Sequence, residues 1–219
     1  MKNVMTKRLV VNIVAAALLA GSLSACIPLV VGGAVVGGTL VANDRRTSGA
    51  QLEDEGIELR STSRIRSNVG DRVHVNVNSY NRQVLLTGEV PSAQDQLLVE
   101  QIISRVENVS SVVNELAVMG NSSLTQRSSD VLVTGRVKAM LVDAKDLFAN
   151  SFRVVTERGT VYLMGRVTQR EADRGTAVAR GTPGVQKVVR IFEIISEEEL
   201  ARQLPTPAQP PAAKPATAN

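Results

Sequence analysis

The sequence predicts an α+β protein built from two tandem αββαβ modules, each a three-stranded mixed sheet packed against two helices, behind an N-terminal flexible linker. Three observations predict it: an internal repeat, period-two apolar alternation in each copy, and helical apolar spacing behind each alternating stretch. Val84-Leu85-Leu86-Thr87-Gly88-Glu89-Val90 matches Val161-Tyr162-Leu163-Met164-Gly165-Arg166-Val167 at an offset of 77 residues. Val109-Ser110-Ser111-Val112-Val113-Asn114-Glu115-Leu116 matches Val185-Gln186-Lys187-Val188-Val189-Arg190-Ile191-Phe192 at an offset of 76, so one deletion in the intervening helix aligns the copies. The modules span 51–119 and 128–195.

Each element has its own signal. A first helix is expected from Asp54 to Asn68 and again from Asp130 to Asp143. Val73, Val75 and Val77 alternate with His74, Asn76 and Asn78, the pattern of a half-buried strand. Val84, Leu86, Gly88 and Val90 alternate likewise after the turn-prone Ser79 to Gln83, which gives a hairpin. In the second copy the turn is Glu157-Arg158-Gly159, where glycine takes positive φ without a Cβ penalty. Thr168-Gln169-Arg170-Glu171 is a capping-box pattern opening a second helix, and Ser92-Ala93-Gln94-Asp95 with Leu97, Leu98, Ile102 and Val106 opens its counterpart. The last strands carry Val112, Leu116, Val118 and Val188, Phe192, Ile194. Gly88 and Gly165 sit inside strands, where glycine is read as permitting close approach by a helix or an unusual backbone angle.

The first 25 residues have the parts of a secretory signal: Lys2, Lys7 and Arg8, an apolar run from Leu9 to Ala20, then a small-residue exit. Leu23-Ser24-Ala25-Cys26 resembles the lipobox of bacterial lipoproteins, in which the cysteine thiol takes up a diacylglycerol and becomes the mature N-terminus. Cys26 is the one cysteine of the chain, so no intrachain disulfide forms. Apart from this covalent lipid on Cys26, no cofactor is expected. Ile27, the second mature residue, is not the Asp that resembles an inner-membrane retention signal, so the expected location is the outer membrane, periplasmic face. Residues 26–50 form a lipidated, Gly-rich linker. Its apolar stretch from Pro28 to Ala42 is short of the roughly 20 residues that span a bilayer, and a glycine-zipper helix pair is the alternative. Residues 204–219 are Pro- and Ala-rich and are expected to be a disordered tail.

Composition narrows the function. The apolar fraction of 43% supports packed cores, but with no Trp, two Tyr and three Phe there is no material for base-stacking platforms, and a nucleic-acid partner is not expected. Three of the 25 basic residues leave with the signal and none of the 21 acidic ones do, so the mature chain is close to neutral, with 22 basic against 21 acidic. The distribution is uneven: 51–119 holds six basic and ten acidic residues, net −4, and 128–195 holds eleven and seven, net +4. The second module is the one suited to anionic headgroups. The sole histidine, His74, lies on the polar side of a predicted strand and is read as a surface residue. Without a second histidine or a free cysteine no metal cluster or nucleophile–histidine pair is assembled, so neither catalytic nor metal-binding residues are expected.

The doubled αββαβ order, with its recurring apolar-x-x-Gly-x-Val, Val-x-x-Val and terminal apolar strand, resembles the BON domain family. The residues that carry the resemblance are Gly88, Val90, Gly165, Val167 and the run from Val161 to Ala172. BON domains occur in periplasmic and membrane-attached bacterial proteins and bind phospholipid surfaces. The resemblance implies that the second module touches lipid through its first helix, here Asp130 to Asp143, and that the protein supports envelope integrity. At Leu132 a close relative carries Trp. The expected lipid-contact residues are Leu132, Val133, Arg136, Lys138, Met140 and Val142. Leu132 and Val142 would dip toward the acyl boundary while Arg136 and Lys138 engage phosphate of an anionic phospholipid membrane. The competing readings are that the four apolar residues are core, and that the protein is a periplasmic interaction scaffold whose first module or Pro-rich tail docks an envelope protein.

Overall fold

The computed structural model describes residues 44–203. The signal region, Cys26, most of the linker and the tail at 204–219 lie outside the described residues.

The first module opens with α1 (Ser48–Val69), capped by Thr47, whose side chain accepts from the Ala50 amide, and ended by Gly70 at φ +70°. Asp54, Ile57, Ser61, Ile65 and Val69 recur at helical spacing and form its buried stripe. After a 3₁₀ turn come β1 (His74–Tyr80), β2 (Gln83–Val90), α2 (Ala93–Ser104), β3 (Ser111–Asn114) and β4 (Ala117–Val118). The second module repeats this with α3 (Leu124–Asp143), β5 (Arg153–Glu157), β6 (Thr160–Val167), α4 (Gln169–Arg180) and β7 (Lys187–Ile194), followed by a short α5 (Glu197–Gln203). The hairpins β1–β2 and β5–β6 are antiparallel. β3, β4 and β7 lie parallel to the central strand, because a helix carries the chain back across the sheet. The mixed sheets are as expected, except that the third strand of module 1 is split. Leu116 turns into the core between β3 and β4, while the Glu115 and Met119 amides keep donating to the Leu86 and Val90 carbonyls.

Both first helices begin six residues before the expected Asp54 and Asp130, inside what reads as linker, because Thr47 and Ser123 are the true N-caps. The two aspartates have another task. Asp54 is 1% exposed and accepts the Asn81 and Arg82 amides at 2.7 and 2.8 Å. Asp130 accepts the Arg158 and Gly159 amides at 2.8 and 2.9 Å. Both pairs of turn residues have positive φ, the geometry of a tight two-residue hairpin, and the helix carboxylate satisfies the donors that such a turn exposes. α5 also goes beyond the sequence reading, and its Leu200 is buried.

Alternate residues of each central strand enter two different layers. Val84, Leu86 and Val90 join Ile57, Ile65, Val99 and Ile103 beneath the helices of module 1, and Val161, Leu163 and Val167 join Val133, Val137, Leu141 and Phe152 in module 2. The residues between them, Leu85 with Tyr80 and Tyr162 and Met164 with Ile191, form a third cluster in which the two sheets pack on one another. The central strands β2 and β6 are therefore covered on both faces, whereas β1 is half-buried as its alternation predicts, with Asn76 exposed. His74 is a half-buried strand residue with a buried partner: its Nδ1 lies 2.8 Å from a carboxylate oxygen of Glu89, which is itself fully buried and receives Arg158 from the other module at 3.0 Å. Asn76 donates to Glu157 at 3.0 Å, and Arg153 reaches back to Ser79, Asn78 and Glu58 of module 1.

The two strand glycines face backbone. Gly88 has φ +114°, and a Cβ there would stand 2.1 Å from the His74 carbonyl oxygen. At Gly165 the corresponding distance is 2.2 Å to the Ser151 carbonyl oxygen. Gly88 thus has the unusual backbone angle and faces the adjacent strand, whereas Gly165 faces the end of the short 3₁₀ turn Ala149–Ser151 that leads into β5, and neither is approached by an α-helix. Gly88→Ala is expected to lower unfolding free energy by about 1–3 kcal/mol through strain at its positive φ, and Gly165→Ala by about 1–3 kcal/mol through overlap with the Ser151 carbonyl. Urea denaturation checks this, and a change within about 0.5 kcal/mol would mean that the backbone shifts freely there.

Candidate functional site

α3 is built from a sequence with more apolar residues than one face can bury. Asp130, Val133, Val137 and Leu141 make the inward stripe, and the last three are at most 3% exposed. Five other apolar residues remain open: Leu124 at 80%, Val131 at 71%, Val142 at 67%, Leu132 at 61% and Met140 at 43%. At about 100° per residue, Leu124, Val131, Gly135 and Val142 fall on one line about 135° round the helix from the core stripe, and Leu132 lies about as far round on the other side, so together they span the outward face. A Cβ at Gly135 would meet nothing, so the line is open to solvent along the helix.

The structure thus divides the expected lipid-contact residues. Leu132, Met140 and Val142 are on the outer surface together with Arg136 and Lys138. Val133 is not: at 3% exposure it packs in the module core, because its position on the helix coincides with that of Val137. Leu124 and Val131 are the two outward residues that sequence reading missed. Leu124 precedes the expected helix start at Asp130, and Val131 falls in the expected first turn.

Ion pairing divides the cations of module 2. Arg153, Arg158, Arg166, Arg170, Arg174 and Arg190 are each paired with a carboxylate. Arg136 and Lys138 on this face, like Lys145, Arg180 and Lys187 elsewhere, have no carboxylate within ion-pair distance among the described residues; Arg136 only approaches the Pro183 carbonyl, at 3.4 Å. α1, the equivalent helix of module 1, also exposes Leu52 and Leu59, with Glu55 and Arg66 exposed beside them, while the half-buried Glu53 and Glu58 are paired with Arg60 and Arg153.

Two hollows flank α3. One, of about 370 Å³, lies at its C-terminal end between Asp44, Lys138, Val142, Asn150 and Phe152. The other, of about 310 Å³, runs between α3 and β1 and holds His74, Asn76, Arg127, Asp130 and Glu157. Burial, with the charges of Glu89 and Asp130 nearby, raises the Glu157 carboxyl above its ordinary value despite the Asn76 hydrogen bond. Glu89 is shifted the other way: burial works to raise it, but hydrogen bonds from His74 and Ser122 and the charge of Arg158 hold it low. Among the described residues no group of three His, Cys, Asp or Glu is placed to hold a metal ion, and no helix is long and apolar enough to cross a membrane. Cys26 lies outside the described residues.

The family model for the BON domain matches residues 53–120 and 129–195, over the two modules just described. The chain belongs to the BON domain family. Among curated proteins it is similar to the outer membrane lipoprotein DolP of Haemophilus influenzae, with 35% identity over 176 residues that cover 79% of this chain and 90% of the relative. It is also similar to a 21 kDa hemolysin of Actinobacillus pleuropneumoniae, 29% identical over 69% of this chain and 79% of that protein. Among solved structures, the C-terminal domain of CdsD, a structural protein of the type III secretion system of Chlamydia trachomatis, aligns at 14% identity and a TM-score of 0.27, over 63% of this chain and 96% of that one.

The opposite shifts of Glu89 and Glu157 give opposite pH signatures. A depressed carboxyl stabilises the fold above its ordinary value of 4.5 and loses that contribution as pH falls. A raised one stabilises the fold when protonated and loses that contribution as pH rises through its folded value. Glu89→Gln is therefore expected to destabilise at pH 7 by on the order of 2 kcal/mol, the worth of hydrogen bonds to a charged group. Glu157→Gln is expected to stabilise at pH 7. Both differences should shrink when urea denaturation is repeated below about pH 4; equal effects at both pH values would contradict the assignment.

Proposed function

We propose that this chain is an outer-membrane lipoprotein, held on the periplasmic face by lipid on Cys26, whose second BON module binds anionic phospholipid through the outward face of α3 and so supports envelope integrity. The observation that carries the reading is the line Leu124, Val131, Val142 with Leu132, turned away from the core stripe and flanked by the unpaired cations Arg136 and Lys138. Water-exposed apolar side chains beside unpaired positive charge match the two layers of a membrane surface, acyl boundary and phosphate. Similarity to DolP, named an outer membrane lipoprotein, supports the location, and the lipobox-like Leu23 to Cys26 supports the anchor. No catalytic step belongs to this reading.

The energies make the two attachments complementary. Each buried acyl CH₂ contributes about 0.8 kcal/mol, so a multiply acylated cysteine anchors durably and without selectivity. Each Lys or Arg near an anionic surface adds about 1 kcal/mol, and each apolar side chain that leaves water about 1.5–3 kcal/mol if fully buried. α3 therefore supplies orientation and lipid preference rather than the bulk of the affinity. The scaffold reading keeps one specific support, the exposed Leu52 and Leu59 on α1.

The test uses a soluble chain beginning at residue 27, vesicles with and without phosphatidylglycerol, and co-flotation. Leu132→Glu and Val142→Glu are expected to weaken binding to anionic vesicles about tenfold or more while changing stability by less than about 1 kcal/mol. Val133→Glu should cost several kcal/mol of stability because it buries a charge in the core. Flotation unchanged by Leu132→Glu and Val142→Glu would remove α3 as the lipid surface.

A further inference from the structure

Three residues that read as linker are bound into the fold. Arg45 places a bidentate guanidinium on Glu171 at 2.6 and 2.8 Å and donates to the Arg166 carbonyl at 3.0 Å. Its side chain is 7% exposed and that of Glu171 is fully buried. The guanidinium also stands 5.7 Å from the Phe148 ring centroid. Arg46 bonds to Asp44 at 2.6 Å and to Asp54 at 2.7 Å, and lies 4.2 Å over the ring of Tyr80. A passing linker does not bury two guanidinium groups, since each loses its hydration and must have every donor matched to remain there.

The partners are as informative as the arginines. Glu171 is the reciprocal residue of the capping box that starts α4 in module 2. Asp54 is the carboxylate that holds the hairpin turn of module 1. Arg45 and Arg46, adjacent in sequence, therefore end on the organising carboxylates of different modules. Asp44 lines the same hollow as Lys138 and Val142, at the C-terminal end of α3.

We infer that Asp44, Arg45 and Arg46 form a clasp that fastens the start of the folded body across both modules, and that it fixes where the lipid-bearing chain leaves, beside the end of α3. The orienting part of this inference rests on the α3 reading proposed above. Seventeen residues separate Cys26 from Asp44, which limits their span to about 60 Å in any conformation. With the clasp closed, the tether pulls from the edge that carries Lys138 and Val142, so the acyl anchor and the outward face of α3 address the same membrane. With it open, the first fixed point becomes the cap of α1, in the acidic module. A defined exit point raises the effective concentration of α3 at the surface without adding a contact.

Glu171→Gln separates the clasp from the cap, because glutamine still accepts the Thr168 amide but cannot pair with a guanidinium through both oxygens. The full lipidated chain, carrying Lys145→Cys labelled with an environment-sensitive dye just beyond α3, is reconstituted in vesicles of phosphatidylglycerol and phosphatidylethanolamine containing a spin-labelled quencher lipid. Two quantities are read: the rate of trypsin cleavage after Arg45 and Arg46, and quenching of the dye. Opening the clasp is expected to speed that cleavage about tenfold or more and to reduce quenching by about half or more. Cleavage unchanged within about twofold overturns the clasp. Faster cleavage with undiminished quenching overturns its orienting role. Absence of quenching in the protein with Glu171 intact counts against the α3 reading and against orientation, while the cleavage rate still decides the clasp.

Discussion

The rest of the structure depends on the packing of one sheet against the other. Tyr80, Leu85, Tyr162, Met164 and Ile191 close a layer that neither module fills alone, and Glu89, Asn76 and Asn78 find partners across it in Arg158, Glu157 and Arg153. Once the outer sheet faces are used on each other, the helices form the outside of the body. What each helix shows on the side away from its core then determines what the protein can meet.

The two copies use this arrangement differently. α1 and α3 bury equivalent stripes and hold equivalent hairpin turns through Asp54 and Asp130. Outward, α1 sets Leu52 and Leu59 among charges of both signs, Glu55 and Arg66, whereas α3 presents an apolar line bordered by Arg136 and Lys138. Duplication kept the scaffold, and divergence acted on the face that the scaffold leaves free. Six arginines elsewhere in module 2 are spent on ion pairs, several of which join modules or elements, which leaves Arg136 and Lys138 on α3, with Lys145, Arg180 and Lys187, as the cations without a carboxylate partner among the described residues.

Much of this was legible in the sequence, because repeats and periodicity report local geometry. The order of elements, the hairpin at Arg158-Gly159 and the capping box of Thr168 and Glu171 all follow from short-range rules. Contacts between distant residues were not legible. Asp54 and Asp130 look like residues that open a helix, and only the hairpin amides folded against them show otherwise. His74 looks like a free residue on a wet strand face, and nothing local to it announces the buried Glu89 carboxylate it pairs with or the Arg158 that joins them from the second module. Val133 and Leu132 are indistinguishable as apolar neighbours; a turn of 100° puts one in the core and the other outside. Arg45 and Arg46 were hidden in a stretch whose glycine-rich start resembles linker, and nothing local to them announces Glu171 and Asp54 more than a hundred and eight residues away, respectively.

The most direct test of α3 as the lipid-facing surface is residue-resolved amide NMR of the soluble chain beginning at residue 27, titrated with anionic phospholipid bicelles. The account predicts shift changes concentrated between Val131 and Val142, weak or missing with purely zwitterionic bicelles, and little change along α1. Shifts centred on Leu52 and Leu59, or spread evenly over both modules, would contradict it.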